Sequence, residues 1–307
     1  RFGGTGDCHA VGQTRVSPSR VLIVGDVMDD VVAVISQPLR PDTDTPATIQ
    51  RTLGGSGANT AVWLAGENIG VDFVGRVGAS DFERVNDQFS QAGVVAHLSA
   101  DPARETGALV IIAQGQTRSM ATNRGANLAL DPRDISPSVI SGCSWLHLTG
   151  YSFFHHDNPE LMSSFITEVA NTGIGVMVDA SSSGFLEDCG PEKFLEMISP
   201  ARVVRCNEDE ARVLTGASNL EDAVKILATR FSCVVATSGA KGALVWEDGA
   251  LHVVPAIAAE VVDPTGAGDS FNAGILAGLA SGASIVSSAQ RAAELSARCV
   301  TLLGARP

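Results

Sequence analysis

The sequence predicts an α/β fold: a doubly wound, mainly parallel sheet, with a second, small β-sheet set apart from it. Three observations carry this. From about Val71 onward, short apolar runs alternate with stretches of helical length, the strand–loop–helix rhythm of a parallel sheet. Over 31–52 and again over 107–122, β-rich runs lack that alternation, so they belong to a sheet of their own. Finally, 45% of residues are hydrophobic and only 5% aromatic, with 32 glycines, which suits helices packed closely on a sheet better than an all-β module.

Residues 1–19 mix Gly, Ser, Thr and Pro without periodicity and read as a mobile tail; the first residue is not Met, so the start is expected to be trimmed or partly vector-derived. Arg20-Val21-Leu22-Ile23-Val24-Gly25 is a buried-strand signal closed by glycine, with Asp26 and Asp30 beyond it. Carboxyl ends of strands are where open α/β sheets bind ligands, although each Asp also suits a solvated turn. Val31 to Ile35 is a β-rich run, Pro38, Pro41 and Pro46 interrupt the segment after it, and Thr48 to Thr52 is extended again. Gly107 to Ile112 and Thr117 to Thr122 form a hairpin-like pair around Gly115. The alternating region then gives strands at Val71–Val77, Trp145–Leu148, Ile174–Val178, Ala201–Cys206, Ser232–Thr237 and Gly242–Trp246. Helices are expected at Asp81–Ala92, Pro159–Asn171 and Glu208–Leu214, the last stopped by Gly216.

The net charge of −13 leaves no basic face for nucleic acid. No apolar run approaches membrane-spanning length. The six cysteines lack paired or metal-ligand spacing and read as reduced, buried thiols, so the expectation is a soluble cytoplasmic protein with neither structural zinc nor a membrane partner. GxxxxGK[ST], GxGxxG and GxSxG patterns are absent, which removes a Walker-type site and weakens dinucleotide and hydrolase readings. His155-His156 is a loop pair without further ligands.

The stretch Val262 to Gly274 carries the strongest chemical signal. Gly266-Ala267-Gly268 follows the turn-prone Asp263-Pro264-Thr265 and runs into an apolar, small-residue helix pattern. Such a loop places backbone N–H groups around one point, at the positive end of a helix. Asp269 falls in the first turn, where negative charge is favoured, and at an ordinary pKa of about 3.9 it is ionised at neutral pH. Donors for an anion beside a general base are what phosphoryl transfer to a hydroxyl requires.

Three further stretches each admit two readings. In Leu53 to Ala65 the glycines permit a tight turn and close packing, or bring backbone to a polar ligand beside the Asn59 amide. In Asn207-Glu208-Asp209-Glu210 the residues cap a helix, or Asn207 and Glu210 reach a phosphate-bound Mg2+ through its waters. Thr237 to Gly242 is a turn, or the floor of a nucleotide site.

In this order the motifs resemble the ribokinase-like (PfkB) family of carbohydrate kinases, over about residues 20 to 307. The resemblance rests on Gly54-Gly55-Ser56-Gly57-Ala58-Asn59 with Gly75-Arg76-Val77-Gly78, and above all on Asp263 to Asn272. It implies a Rossmann-like domain with a small β lid, and ATP-dependent phosphorylation of a hydroxymethyl group on a small sugar. It implies that Asp269 is the base and that Gly266, Ala267 and Gly268 form the anion hole. Asp30, Gly55 and Asn59 would hold sugar hydroxyls, with Gly54 shaping the loop and Asp26 a further candidate. Asn207, Thr237, Gly239, Gly242 and Gly268 would line the ATP site, and Glu210 would act through Mg2+. Asp263 and backbone carbonyls near Thr265, Cys299, Leu302 and Gly304 would surround K+. Ala293 stands where a polar adenine contact is expected, and Pro264 replaces a commoner Thr or Val. The lid implies a possible homodimer surface. Rival expectations are a nucleoside kinase of this fold, stacking a base on Phe153 or Phe154, and a sugar- or nucleotide-sensing protein without turnover.

Overall fold

The computed structural model describes residues 20–115 and 117–307, and the expected tail over 1–19 lies outside them. In chain order the strands are β1 (Arg20–Val24), β2 (Met28–Ile35), β3 (Ala47–Gly54), β4 (Gly70–Gly78), β5 (Val95–Asp101), β6 (Gly107–Gln114) and β7 (Thr117–Asn123). They continue with β8 (Cys143–Thr149), β9 (Gly175–Asp179), β10 (Val203–Asn207), β11 (Cys233–Thr237), β12 (Ala243–Glu247) and β13 (Ala250–Val254). The α-helices are α1 (Ser56–Ala65), α2 (Phe82–Gln91), α3 (Pro137–Ser141), α4 (Pro159–Asn171) and α5 (Ser183–Cys189). After these come α6 (Pro191–Met197), α7 (Glu208–Thr215), α8 (Leu220–Leu227), α9 (Ala267–Ala280) and α10 (Ile285–Cys299).

Nine strands form one sheet in the order β13-β12-β11-β10-β9-β8-β1-β4-β5. Its pairs are parallel from β5 across to β11, and antiparallel for β11/β12 and β12/β13. The direction of winding reverses at β1, which lies between β8 and β4. A crevice opens outside the carboxyl ends of strands at such a switch point, because the loops on either side run to opposite faces. The other four strands form a separate sheet, β3-β2-β6-β7, with β2 and β6 parallel. The run read over 31–35 extends back to Met28, so Asp29 and Asp30 lie inside this strand rather than in a turn.

Both faces of the large sheet are covered, which explains why its central strands are mostly apolar. One face packs side chains such as Leu146, Met162, Phe194, Leu214 and Val224 against α4 to α8. The other packs Ile23, Phe73 and Val235 against α1, α2, α9 and α10 through Ala58, Phe89, Leu276 and Ala292. Among the described residues the five cysteines are free, and no helix is long and apolar enough to cross a membrane.

Helix α9 carries Asp269 on its first turn and fixes it from behind: Ile275, Leu276 and Ala277 are fully buried. Replacing Leu276 by Ala should cost about 2–5 kcal/mol, lost transfer energy plus an unfilled cavity. Urea denaturation monitored by circular dichroism should show a lower midpoint; an unchanged midpoint would show that α9 is not locked in the core.

Candidate active site

Two glycine-rich turns face one another over the switch point. Gly55 precedes α1 at φ +98°, and a Cβ there would lie 2.4 Å from the Asp26 carbonyl oxygen, so the turn closes only with glycine. The Asp26 carboxylate braces this loop: it accepts from the Gly57 amide at 3.0 Å and from Arg124 Nη1 at 3.1 Å. Gly266 caps α9 in the left-handed region at φ +81°, and its backbone is pressed against Ala305. The Ala267 amide turns back to the Pro264 carbonyl at 3.3 Å, while the Gly268 and Asp269 amides belong to the first turn, whose N–H groups find no partner within a helix.

The two turns are tied together at Asp269. Ser56 Oγ donates to Asp269 Oδ1 at 2.6 Å, and Asn59 Nδ2 donates to Oδ2 at 2.9 Å. Burial raises the Asp269 carboxyl to about 6; these two hydrogen bonds oppose the rise, and the negative charges of Asp179 and Asp26 add to it. The sequence alone suggested an ordinary carboxylate; burial instead leaves this carboxyl titrating closer to neutrality, though still largely ionised at pH 7. Asp30 goes further in the same direction, to about 7, through burial and then the charge of Asp26. One of its oxygens, Oδ1, is buried without a hydrogen-bond partner.

Two clefts approach this point. One, of about 550 Å3, is lined by Thr237, Gly239, Gly242 and Gly268, with Ala258, Val261, Ala293, Ala297 and Val300 forming an apolar wall. The other, of about 710 Å3, is lined by Asp30, Arg51, Thr52, Asp81, Arg84 and Arg306, and by the small sheet through Val31 and Leu53. Asp30 thus lines the second cleft and Thr237, Gly239, Gly242 and Gly268 the first, while Asn59 meets the second cleft through its hydrogen bond with Arg306.

Asn207 and Glu210 are spent largely on each other. Asn207 caps α7, its Oδ1 accepting from the Glu210 amide at 2.9 Å, while Glu210 accepts from the Asn207 backbone and side-chain nitrogens at 2.8 and 2.7 Å. Burial, reinforced by Asp179, raises the Glu210 carboxyl to about 7. Asp263 accepts from the Thr265 amide at 2.8 Å and the Gly304 amide at 3.1 Å, and so links the loop before α9 to the segment after α10. Cys299 Sγ lies 3.5 Å from the Thr265 carbonyl, and the Leu302 amide donates to the Cys299 carbonyl.

Four residues that sequence reasoning did not single out complete the arrangement. Ser56 sits inside the glycine loop and holds the Asp269 carboxylate. Arg124 holds Asp26. Arg205 binds Asp179 at 3.1 Å and Thr237 Oγ1 at 3.0 Å, lines the first cleft, and packs so close to Gly268 that a Cβ there would meet its Nη1 at 3.3 Å. A lone arginine in the apolar strand Val203-Val204-Arg205-Cys206 was the available signal. Arg306 Nε donates to Asn59 Oδ1 at 2.8 Å.

The histidine pair is structural: His156 uses both ring nitrogens, on the Leu130 carbonyl and the Asn158 amide, and His155 lies edge-on to Phe185. Phe153 and Phe154 do not face either cleft. They are 1% and 2% exposed and pack with Phe194 in the core, so the expectation that one stacks a base is corrected: apolar burial outcompetes the ligand role.

A doubly wound sheet with a small β lid, and a buried carboxylate on the first turn of a helix that follows a glycine-rich turn, is the architecture of the ribokinase-like kinases. The chain matches the model of the pfkB family carbohydrate kinases over residues 18–307, and the protein belongs to that family. It is 25% identical to a ribokinase of Haemophilus influenzae over 272 residues, 84% of each chain. It is 26% identical to a fructokinase of Escherichia coli over 276 residues, 86% of this chain and 85% of that one. The solved structure of an adenosine kinase from Sinorhizobium meliloti superposes with a TM-score of 0.85 at 22% identity, over 95% of this chain and 96% of that one. The protein is accordingly a sugar or nucleoside kinase.

If burial sets the base, carbon-13 NMR of aspartate carboxyls should find Asp269, assigned by its loss in Asp269→Asn, titrating near 6. Removing the Ser56 and Asn59 donors should move that midpoint upward; a midpoint near 4 would contradict the geometry.

Proposed function

We propose that the protein transfers the γ-phosphoryl group of ATP to a hydroxymethyl group of a small, ribose-like or fructose-like sugar. The observation that supports this most is the position of Asp269: on the first turn of α9, between a cleft lined by Gly268 and one lined by Asp30, with Asn59 donating to it. Asn207, Thr237, Gly239 and Gly242 would hold the nucleotide, with its base against the apolar wall. The turn Gly266-Ala267-Gly268 and the Arg205 guanidinium would take up negative charge on the phosphoryl oxygens. Asp30, Gly55 and Asn59 would bind sugar hydroxyls, with Gly54 and Asp26 shaping their loop.

Asp269 then accepts the acceptor's hydroxyl proton as that oxygen bonds to phosphorus and the bond to the ADP oxygen breaks. In a loose transition state the proton moves late, so a carboxylate suffices as base. Among the described residues no three metal-ligating side chains form a cluster. Glu210 would hold a phosphate-bound Mg2+ through water, and the ion would supply charge neutralisation there. K+, if used, would be held by oxygens around Asp263, Thr265, Cys299, Leu302 and Gly304, where it would supply positive charge beside the turn before α9. The exposed lid side chains Val34, Ile49, Val110 and Met120 support a homodimer through the small sheet, and the free thiols support a cytoplasmic setting.

A nucleoside acceptor is the second reading, favoured by the 710 Å3 volume of the acceptor cleft. Among the described residues that line it there is no aromatic ring to stack a base, which favours the sugar.

The test is ADP release from Mg·ATP across sugars and nucleosides, with and without K+. A strong sugar response is expected; a nucleoside-only response reverses the order of the two readings, and ligand binding without turnover indicates a sensor. With the best acceptor, Asp269→Asn should lower kcat by at least about 100-fold while ATP affinity changes little. A kcat within about tenfold of the parent would remove Asp269 as base.

A further inference from the structure

We propose that Arg306 is a positioning residue of the acceptor site, which fixes the Asn59 carboxamide against Asp269 and thereby sets the fit of the acceptor. The proposal rests on the kinase reading and adds a residue that this reading does not need.

The polarity of a carboxamide makes its orientation matter. Asn59 presents an N–H2 end and an oxygen end, and its two orientations fit nearly the same space. An ionised Asp269 only accepts and an arginine only donates. With Asp269 Oδ2 2.9 Å from Asn59 Nδ2 and Arg306 Nε 2.8 Å from Asn59 Oδ1, one orientation satisfies both contacts. The reverse would set oxygen against carboxylate and N–H2 against guanidinium. Arg306 therefore supplies the end of the array that makes it directional. In the held orientation Asn59 keeps one N–H and one oxygen lone pair free, a donor and an acceptor side by side, which match two neighbouring hydroxyls of a polyol.

The backbone that delivers Arg306 is itself pinned to both loops. The Gly304 amide donates to Asp263, the Ala305 carbonyl accepts from Trp63 Nε1 at 2.8 Å, and Gly266 lies against Ala305. Arg306 Nη2 adds a long contact to the Gly54 carbonyl at 3.4 Å. Three consecutive residues thus join the phosphate-side turn, the helix α1 and the acceptor loop. The guanidinium also lines the acceptor cleft with Asp30. Burial brings Arg306 down to about 10, against the pull of Asp30 and Asp269, so it stays charged while the enzyme works. The charged and titratable groups coupled to Asp269 are Asp26, Asp30 and Asp179, which hold its proton on, Arg306, the cation whose charge is coupled to it, and Tyr151 and Cys299, whose ionisation its charge opposes.

The experiment compares Arg306→Ala, Arg306→Gln and Arg306→Lys with the parent. Expected for Arg306→Ala is a rise of at least about tenfold in acceptor KM, with the KM for ATP within about twofold. The acid limb of kcat/KM should move up by about half a pH unit or more, because Asp269 loses a nearby positive charge. Arg306→Lys, which keeps donor and charge, should recover part of both effects, and Arg306→Gln should not recover the limb. Equal changes in both KM values, or an acid limb unmoved in every variant, would overturn the proposal. Hydrogen exchange gives a readout without turnover: amides over 54–59 should exchange faster in Arg306→Ala, and less so in Arg306→Lys, with β9 to β11 unchanged. If the parent phosphorylates no acceptor, the kinase reading fails by itself, and unaltered exchange over 54–59 would still overturn the role of Arg306.

Discussion

The structure depends on one carboxylate held across the molecule. Asp269 and Asn59 lie 210 residues apart in sequence and 2.9 Å apart in space. Their contact requires the small-sheet strand β3 to end in a glycine turn, α1 to begin there, and α9 to start on the opposite side of the same crevice. Each helix is fixed from behind by fully buried apolar side chains, Ala58 and Ala61 on α1, Ile275 and Leu276 on α9. Ser56, Asn59 and Asp269 sit on the first turns, where the helices are anchored and their N–H groups are still open.

Holding a carboxylate in this way sets two effects against each other. Burial favours the protonated form, whereas the helix terminus and the Ser56 and Asn59 donors favour the ionised form. Burial wins by a moderate margin and leaves a carboxylate more basic than a free aspartate but still charged at neutral pH. In the proposed reaction such a carboxylate would be a better proton acceptor for an alcohol than an ordinary one. Asp30, with a buried oxygen that has no partner, carries the same cost in a place where a hydroxyl donor would relieve it.

Much of this was legible in the sequence, for identifiable reasons. The parallel sheet announced itself because strands buried on both faces must be apolar throughout, and the small sheet because its strands lack intervening helices. The turn Asp263 to Asp269 was legible because glycine, proline and a first-turn carboxylate constrain backbone strongly. What stayed hidden was pairing at a distance. Nothing local shows that Arg124 meets Asp26, that Arg205 meets Asp179, or that Arg306 meets Asn59. Phe153 and Phe154 misled because an aromatic pair after a strand looks the same whether it faces a cleft or the core. The helices α5 and α6, of seven residues each, lack the length that makes periodicity readable. The ionisation of Asp269 depends on burial, which composition does not report.

The central claim is that Asp269 and the turn before it deliver a phosphoryl group to a primary hydroxyl. Proton-coupled phosphorus-31 NMR of a mixture of enzyme, Mg·ATP and a responding acceptor reads this directly. The account predicts loss of the γ-phosphate signal, formation of ADP, and a new phosphomonoester resonance split into a triplet by two methylene protons. Inorganic phosphate alone, or a doublet from a phosphate on a secondary or anomeric carbon, would contradict it.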